Sequence, residues 1–264
     1  MILIKGAGDL ASGTAVRLAH CGFEIVMTDL KHPTSIRRTV CFSEAIRTGV
    51  QTVEDVTAEF APSVEEISAI HRRGHIAVLA DPNALCIRTL QPEVVVDAIL
   101  AKRNLGTHLS DAPIVIALGP GFTAGVDCHA VIETMRGHDL GRMILSGAAQ
   151  MNTGIPGSIS GFTTERVLRA PQDGIFTEVR KIGDTVKRGE TVAEVDGDPV
   201  ITLIDGVVRG LLPSGTPVTK GMKSGDVDPR SAVEHCFTVS DKARAIAGGV
   251  LEAILYFKRR NANV

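Results

Sequence analysis

An apolar strand that runs straight into a glycine turn and then a helix restricts this chain more than any other feature. Ile2–Lys5 leads into Gly6-Ala7-Gly8-Asp9-Leu10-Ala11-Ser12-Gly13, and Ala11, Ala15, Leu18 and Ala19 then recur at helical spacing up to Gly22. In this strand–turn–helix setting Gly6-x-Gly8-x-x-Ala11 matches the dinucleotide fingerprint. Glycines permit the tight turn, and a helix N-terminus offers free N–H groups and partial positive charge to a phosphate. Residues 23–28 read as a second strand, and Asp29 closes it at the place where an acidic residue usually holds a ribose hydroxyl. The competing reading is a glycine turn that only packs a helix on a sheet, with Asp29 solvated.

Residues 75–80, 93–96 and 113–118 are three more apolar runs of strand length, separated by helical patterns such as the one opened by Ser63 and Glu66. Alternating strands and helices predict a mostly parallel, Rossmann-like sheet covered on both faces. Asp29, Asp81 and Asp97 then fall at its carboxyl edge, where open α/β sheets bind ligands. Arg37, Arg38, Lys102 and Arg103 follow closely and would neutralise a phosphorylated ligand, or would be surface cations. The last strand runs into a second glycine loop, Gly119-Pro120-Gly121-Phe122-Thr123-Ala124-Gly125. The cofactor-binding candidates are thus Gly6, Gly8, Asp9, Ala11, Ser12, Gly13, Asp29, Arg37, Arg38, Asp97, Lys102, Arg103, Gly119, Gly121 and Gly125.

Asp127 and His129 follow that loop, two apart, so on a strand they would share a face. They are the candidates for proton transfer, as base and partner, or for two metal ligands; the bland alternative is hydrogen-bonded structure. No metal is named by the pattern. Glu133, Arg136, His138 and Arg142 come next, in a stretch read as a hairpin over residues 129–146.

From residue 165 short strands and glycines take over, and the chain repeats itself. Asp173-Gly174 recurs as Asp205-Gly206, Gly183 as Gly215, Val186 as Val218 and Gly189 as Gly221, all at an offset of 32. Two such units resemble the barrel-sandwich hybrid of biotinyl and lipoyl carriers. The corresponding hairpin, residues 194–200, has no lysine, so neither biotin nor lipoate is expected. An amphipathic helix follows Ser240, with Ala243, Ile246, Ala247, Val250 and Ile254 on one stripe. Its Gly248-Gly249 pair suits the close approach of another backbone. The expected fold class is therefore an α/β Rossmann-like domain with a hairpin extension (residues 1–164), a small β module of the barrel-sandwich-hybrid kind (165–232), and a C-terminal helix (233–264) packing back on the first domain.

Composition narrows the partners. A net charge of −2 and 3% aromatic residues argue against nucleic acid, which needs a basic field and stacking surfaces. No apolar run reaches the roughly 18–20 residues of a membrane span. Five scattered cysteines without a Cys-x-x-Cys suggest reduced thiols and a cytoplasmic protein. A homo-oligomer is left open.

Several stretches together resemble the accessory proteins of selenium-dependent molybdenum hydroxylase systems, of the YqeB type. They are residues 6–13, Arg37-Arg38-Thr39-Val40, residues 96–106, residues 118–125, residues 152–157 and Ser240-Asp241-Lys242-Ala243-Arg244-Ala245. The first layer also looks similar to the Rossmann domain of xanthine dehydrogenase maturation factors. The resemblance implies a maturation factor that handles a molybdopterin-type dinucleotide, with an apo molybdenum hydroxylase as client. Two alternatives remain beside it: an NAD(P)-dependent oxidoreductase and a non-catalytic scaffold.

Overall fold

The structure is a computed structural model and describes residues 1–154 and 156–261, so Ile155 of the 152–157 stretch lies outside the described residues. The chain divides into two compact units. One comprises Met1–Pro33, Cys41–Thr153 and the chain from Val239 onward; the other comprises Thr34–Val40 and Gly154–Thr238. Where the sequence suggests a boundary at residues 164/165, the second unit begins at Gly154 and also takes in a seven-residue excursion from the first.

In the first unit the apolar runs form β1 (Ile2–Lys5), β2 (Ile25–Thr28), β3 (Val50–Val53), β4 (Val56–Phe60), β5 (Ile76–Leu79), β6 (Val94–Asp97), β7 (Ile114–Leu118), β8 (Thr123–Ala124), β9 (Ala130–Ile132), β10 (Met143–Ile144) and β11 (Gly147–Ala148). Nine of them make one sheet in the order β10-β9-β7-β6-β1-β2-β5-β4-β3. The strands from β9 to β4 pair in parallel, while β3 and β10 close the two ends antiparallel. The helices are α1 (Asp9–His20), α2 (Glu44–Thr48), α3 (Ile67–Arg72), α4 (Ile87–Leu90) and α5 (Asp241–Asn261). A Cβ on Gly13 would stand 2.7 Å from the Ala243 Cβ, and Gly248 faces Arg17, so α1 and α5 run side by side in the same direction.

The sheet is not the expected Rossmann-like layer. Such a layer returns each parallel strand through a helix, but residues 98–113 between β6 and β7 hold only one 3-10 turn, Leu109–Asp111. The link from β7 to β9 contains only β8. Gly119-Pro120-Gly121 and an Asn104 side chain that accepts the Gly106 and Thr107 N–H groups hold these links in turns. One face of the sheet, lined by Leu3, Val26, Val95 and Val115, is accordingly covered by α3, by Ala124 of β8 and by the loop residues Phe122 and Ala149.

The second unit holds β12 (Val167–Arg169), β13 (Gly174–Glu178), β14 (Thr185–Val186), β15 (Thr191–Val195), β16 (Asp198–Ile201), β17 (Gly206–Leu211), β18 (Thr216–Val218) and β19 (Lys223–Asp228). They form two four-stranded antiparallel sheets, β12-β19-β17-β14 and β16-β15-β13-β18. The offset of 32 reappears in the hydrogen bonds. Asp173 accepts the Lys220 N–H while Asp205 accepts the Arg188 N–H, and Gly189 donates to the Thr202 carbonyl while Gly221 donates to that of Ala170. Each half thus caps the turn of the other. The expected self-contained carrier-like module is nevertheless corrected: Ile36 accepts the Leu211 N–H and packs on this unit's core, so the unit needs residues from far outside 165–232.

Candidate functional site

Because the strands from β9 to β4 are parallel, Lys5, Thr28, Leu79, Asp97, Leu118 and Ile132 all end at one edge of the first unit's sheet. The first glycine turn sits there. Gly6 has φ +94°, and a Cβ would lie 2.9 Å from the Ala98 carbonyl oxygen, so neither side-chain room nor ordinary backbone exists for another residue. Ala11, Ser12 and Gly13 are buried: Ser12 donates to the Ala7 carbonyl at 3.0 Å and accepts the Phe42 N–H at 2.8 Å. These positions shape the turn. Gly8, Asp9 and Asp29 remain partly exposed at the edge, and α1 starts at Gly8 without a side-chain cap.

Asp29 accepts the Ala7 and Leu30 N–H groups, both at 2.7 Å. Burial raises its pKa, against the two backbone donors that lower it. A carboxylate therefore already holds one amide of the turn.

The next element is buried. Lys5 and Asp97 are 3% and 1% exposed, with Lys5 Nζ 3.8 Å from Asp97 Oδ2. Thr107 stands between them, accepting from Lys5 Nζ at 2.5 Å and donating to Asp97 at 2.6 Å. The other Asp97 oxygen accepts the Ile99 N–H at 3.1 Å. Asp97 thus grips both ends of the loop over residues 98–107, a compact surface loop whose ends meet. Asp97 is a structural clasp and not an exposed ligand contact, while Lys102 and Arg103 ride exposed on the loop. The second glycine loop packs under it: Gly121 has φ +107°, and a Cβ would meet the Arg103 backbone nitrogen at 2.5 Å. Gly119 abuts Thr134, and only Gly125 faces open space.

Three expectations do not hold as arranged. Arg37 and Arg38 belong to the second unit, where Arg37 donates to the His235 and Thr238 carbonyls and Arg38 to the Leu211 carbonyl and Glu178. Asp127 and His129 are not base and partner. Asp127 precedes β9 and closes a turn, accepting the Thr123 N–H at 2.7 Å and the Asn104 amide at 3.3 Å. His129 Nδ1 accepts the Val115 N–H at 2.9 Å, and its ring lies edge-on to Phe257. Among the described residues no group of three or more His, Cys, Asp or Glu side chains could hold a metal ion. Cys128, between them, is no nucleophile: burial and then the nearby Asp127 push its thiol up to about 12.

Burial also lowers the His129 pKa. The unfolded chain then binds the extra proton first, so stability falls as pH drops below the ordinary histidine value of about 6.5. His129→Asn, which keeps an acceptor for Val115 but cannot titrate, is expected to flatten the fall in melting temperature between about pH 6.5 and 5; thermal melts over that range check it.

Sequence reasoning missed Lys5 and Thr107, and gave no role to Glu133 or Lys242. Buried Glu133 accepts three N–H groups, from Thr134, Met135 and Gln150, at 2.7–2.8 Å. Burial, and then Arg136, lowers the Lys242 pKa, while Asp9 and Glu133 oppose the shift. A lysine ending a fully apolar strand is the one signal that pointed to a buried counter-charge.

No helix among the described residues is long and apolar enough to cross a membrane. No family model matches the chain. It is 53% identical over 255 residues to the uncharacterized protein YqeB of Escherichia coli (strain K12), an alignment that covers 97% of this chain and 47% of that protein. The chain thus spans about half the length of this curated relative. Among solved structures, an aspartoacylase family protein from Mesorhizobium loti is similar at 12% identity and a TM-score of 0.27, covering 77% of this chain and 84% of the other. A succinylglutamate desuccinylase/aspartoacylase from Rhodobacter sphaeroides follows at 15% identity and 0.24, covering 86% of each. Neither is named as a Rossmann, biotinyl-carrier or molybdenum-cofactor protein, and the expected Rossmann-like and carrier-like folds are given up on the strand connections described above. Over nearly all of its length, this chain is similar to one part of a longer protein, YqeB.

Proposed function

We propose that the first unit holds a nucleotide-bearing ligand at the carboxyl edge of its parallel strands and serves a partner enzyme as an accessory, not as a catalyst. The observation that supports this reading is the uncapped start of α1 at Gly8, beside the partly exposed Asp9 and Asp29. First-turn amides suit a pyrophosphate, and carbonyl-like acceptors on Asp29 suit ribose hydroxyls. The same carboxylates repel a doubly charged phosphate monoester lacking such hydroxyls. Catalysis is disfavoured because Asp127, Cys128 and His129 are each engaged in structure.

The test is calorimetric titration with ADP and with NAD. Gly8 has φ −76° and ψ −172°, which any residue can adopt, so Gly8→Val adds a branched side chain at the start of α1 without backbone strain. Expected is saturable binding to the wild-type chain, weakened at least about tenfold in Gly8→Val at an unchanged melting temperature. No binding of either nucleotide at about 1 mM, a free energy near −4 kcal/mol, would remove the proposal and leave the scaffold reading. An apo molybdenum hydroxylase, the client implied by the sequence resemblance, serves as bait in a parallel pull-down.

A further inference from the structure

We propose that Lys242, in the first turn of α5, supplies the positive charge that meets the phosphates of a ligand at this edge. The ligand class is then a nucleoside diphosphate or a dinucleotide, and not a bare nucleoside. This rests on the ligand-holding reading above and adds the side chain that reads the ligand's charge. The helix pair sets its place. α5 packs on β7, β9 and β10 with Ala243 against Gly13 of α1, so the two helices start side by side at the carboxyl edge. Arg136, in the chain leaving β9, holds Asp241 at 2.8 Å and fixes that end of α5. Lys242 comes next, and its charge neighbours include Asp9 at the first glycine turn and Glu133 just past β9. Asp9, Asp29 and Glu133 would repel a pyrophosphate unless a cation sits among them. Of the other cations, Arg37 and Arg38 fold into the second unit, Lys5 is held by Thr107 and Asp97, and Arg136 by Asp241. Lys242 is half-buried, yet among the described residues its ammonium makes no hydrogen bond or ion pair. Burial without a direct partner disfavours its charge, and an anion bound there would offset that cost.

The test is ADP binding to the full chain, by calorimetry at about 50 and about 300 mM NaCl, in wild type, Lys242→Met and Lys242→Arg. Methionine keeps the apolar stem and loses the charge, and arginine keeps the charge. Expected in Lys242→Met are ADP binding weaker by at least about tenfold at low salt, a shallower loss of affinity with salt, and an unchanged melting temperature. Lys242→Arg is expected to stay within about threefold of wild type. ADP bound equally by wild type and Lys242→Met overturns the role of Lys242 and leaves the ligand-holding reading intact. Weaker binding at an unchanged salt dependence, or with a lowered melting temperature, shows a structural role and equally overturns it. An arginine variant as weak as the methionine one overturns a role through charge. ADP bound by none of the three overturns both readings.

Discussion

Asp97→Ala is expected to destabilise the chain by about 3–5 kcal/mol, the range for removing one partner of a buried ion pair. The reason is what remains behind. Lys5 is 3% exposed, and without Asp97 its ammonium keeps only the Thr107 hydroxyl in a site closed to water. The Ile99 N–H and the Thr107 hydroxyl lose their acceptor as well. Asp97→Asn keeps one of the two acceptor oxygens, and so one of the two donors stays bonded; a smaller loss than for alanine is expected. Lys5→Met removes the other charge while retaining most of the apolar stem. In Lys5→Met/Asp97→Asn no ion is left buried, and the double variant is expected to be more stable than the sum of the two single losses. Urea unfolding of the wild type and these four variants at pH 7 measures this. A strictly additive cycle would show that the two charges do not support one another.

How far the sequence revealed this arrangement depended on whether the signal was local. The apolar runs at Ile2–Lys5, Ile76–Leu79 and Ile114–Leu118 are fully buried strands, and burial on both faces removes the alternation that would make them ambiguous. The hairpin of Val50–Val53 and Val56–Phe60 escaped notice. Its turn uses Glu54 at φ 56° in place of glycine or asparagine, and polar Gln51, Thr52, Thr57 and Glu59 interrupt its apolar residues. The glycine turn at Gly6–Gly8 was legible as a turn, but the partners that occupy it were not. Asp29 binding the Ala7 N–H, and residues 98–107 closing over Gly6 and Gly121, depend on chain segments brought together only by the sheet. Arg37 and Arg38 mislead for the same reason: adjacent to the second strand in sequence, they fold into the other unit. The pairing of Asp127 with His129 presumed a strand that begins three residues later, at Ala130.

Adjacent glycines in the middle of α5 are expected to respond to alanine with opposite signs. In an isolated helix either replacement would stabilise by roughly 1 kcal/mol, since alanine restricts the unfolded chain and has the best helix propensity. Gly248 has room: the nearest atom to a Cβ there is Arg17 Nη1 at 3.9 Å. Gly248→Ala is therefore expected to stabilise by up to about 1 kcal/mol. A Cβ on Gly249 would overlap the Gly141 carbonyl oxygen and crowd Ile132 Cγ2 at 3.0 Å. The obstacle is backbone, held by the Gly141 N–H to Glu133 carbonyl bond, and not the movable end of a side chain. Gly249→Ala is accordingly expected to cost about 1–3 kcal/mol as an overpacked core position, outweighing the propensity gain. The loss should spread beyond the helix, because the turn at Gly141 leads directly into β10 and neighbours the chain carrying Glu133. Thermal unfolding of the two single variants separates the effects: melting temperatures moving in opposite directions support the close backbone approach, and two upward shifts would show that α5 stands clear of Gly141.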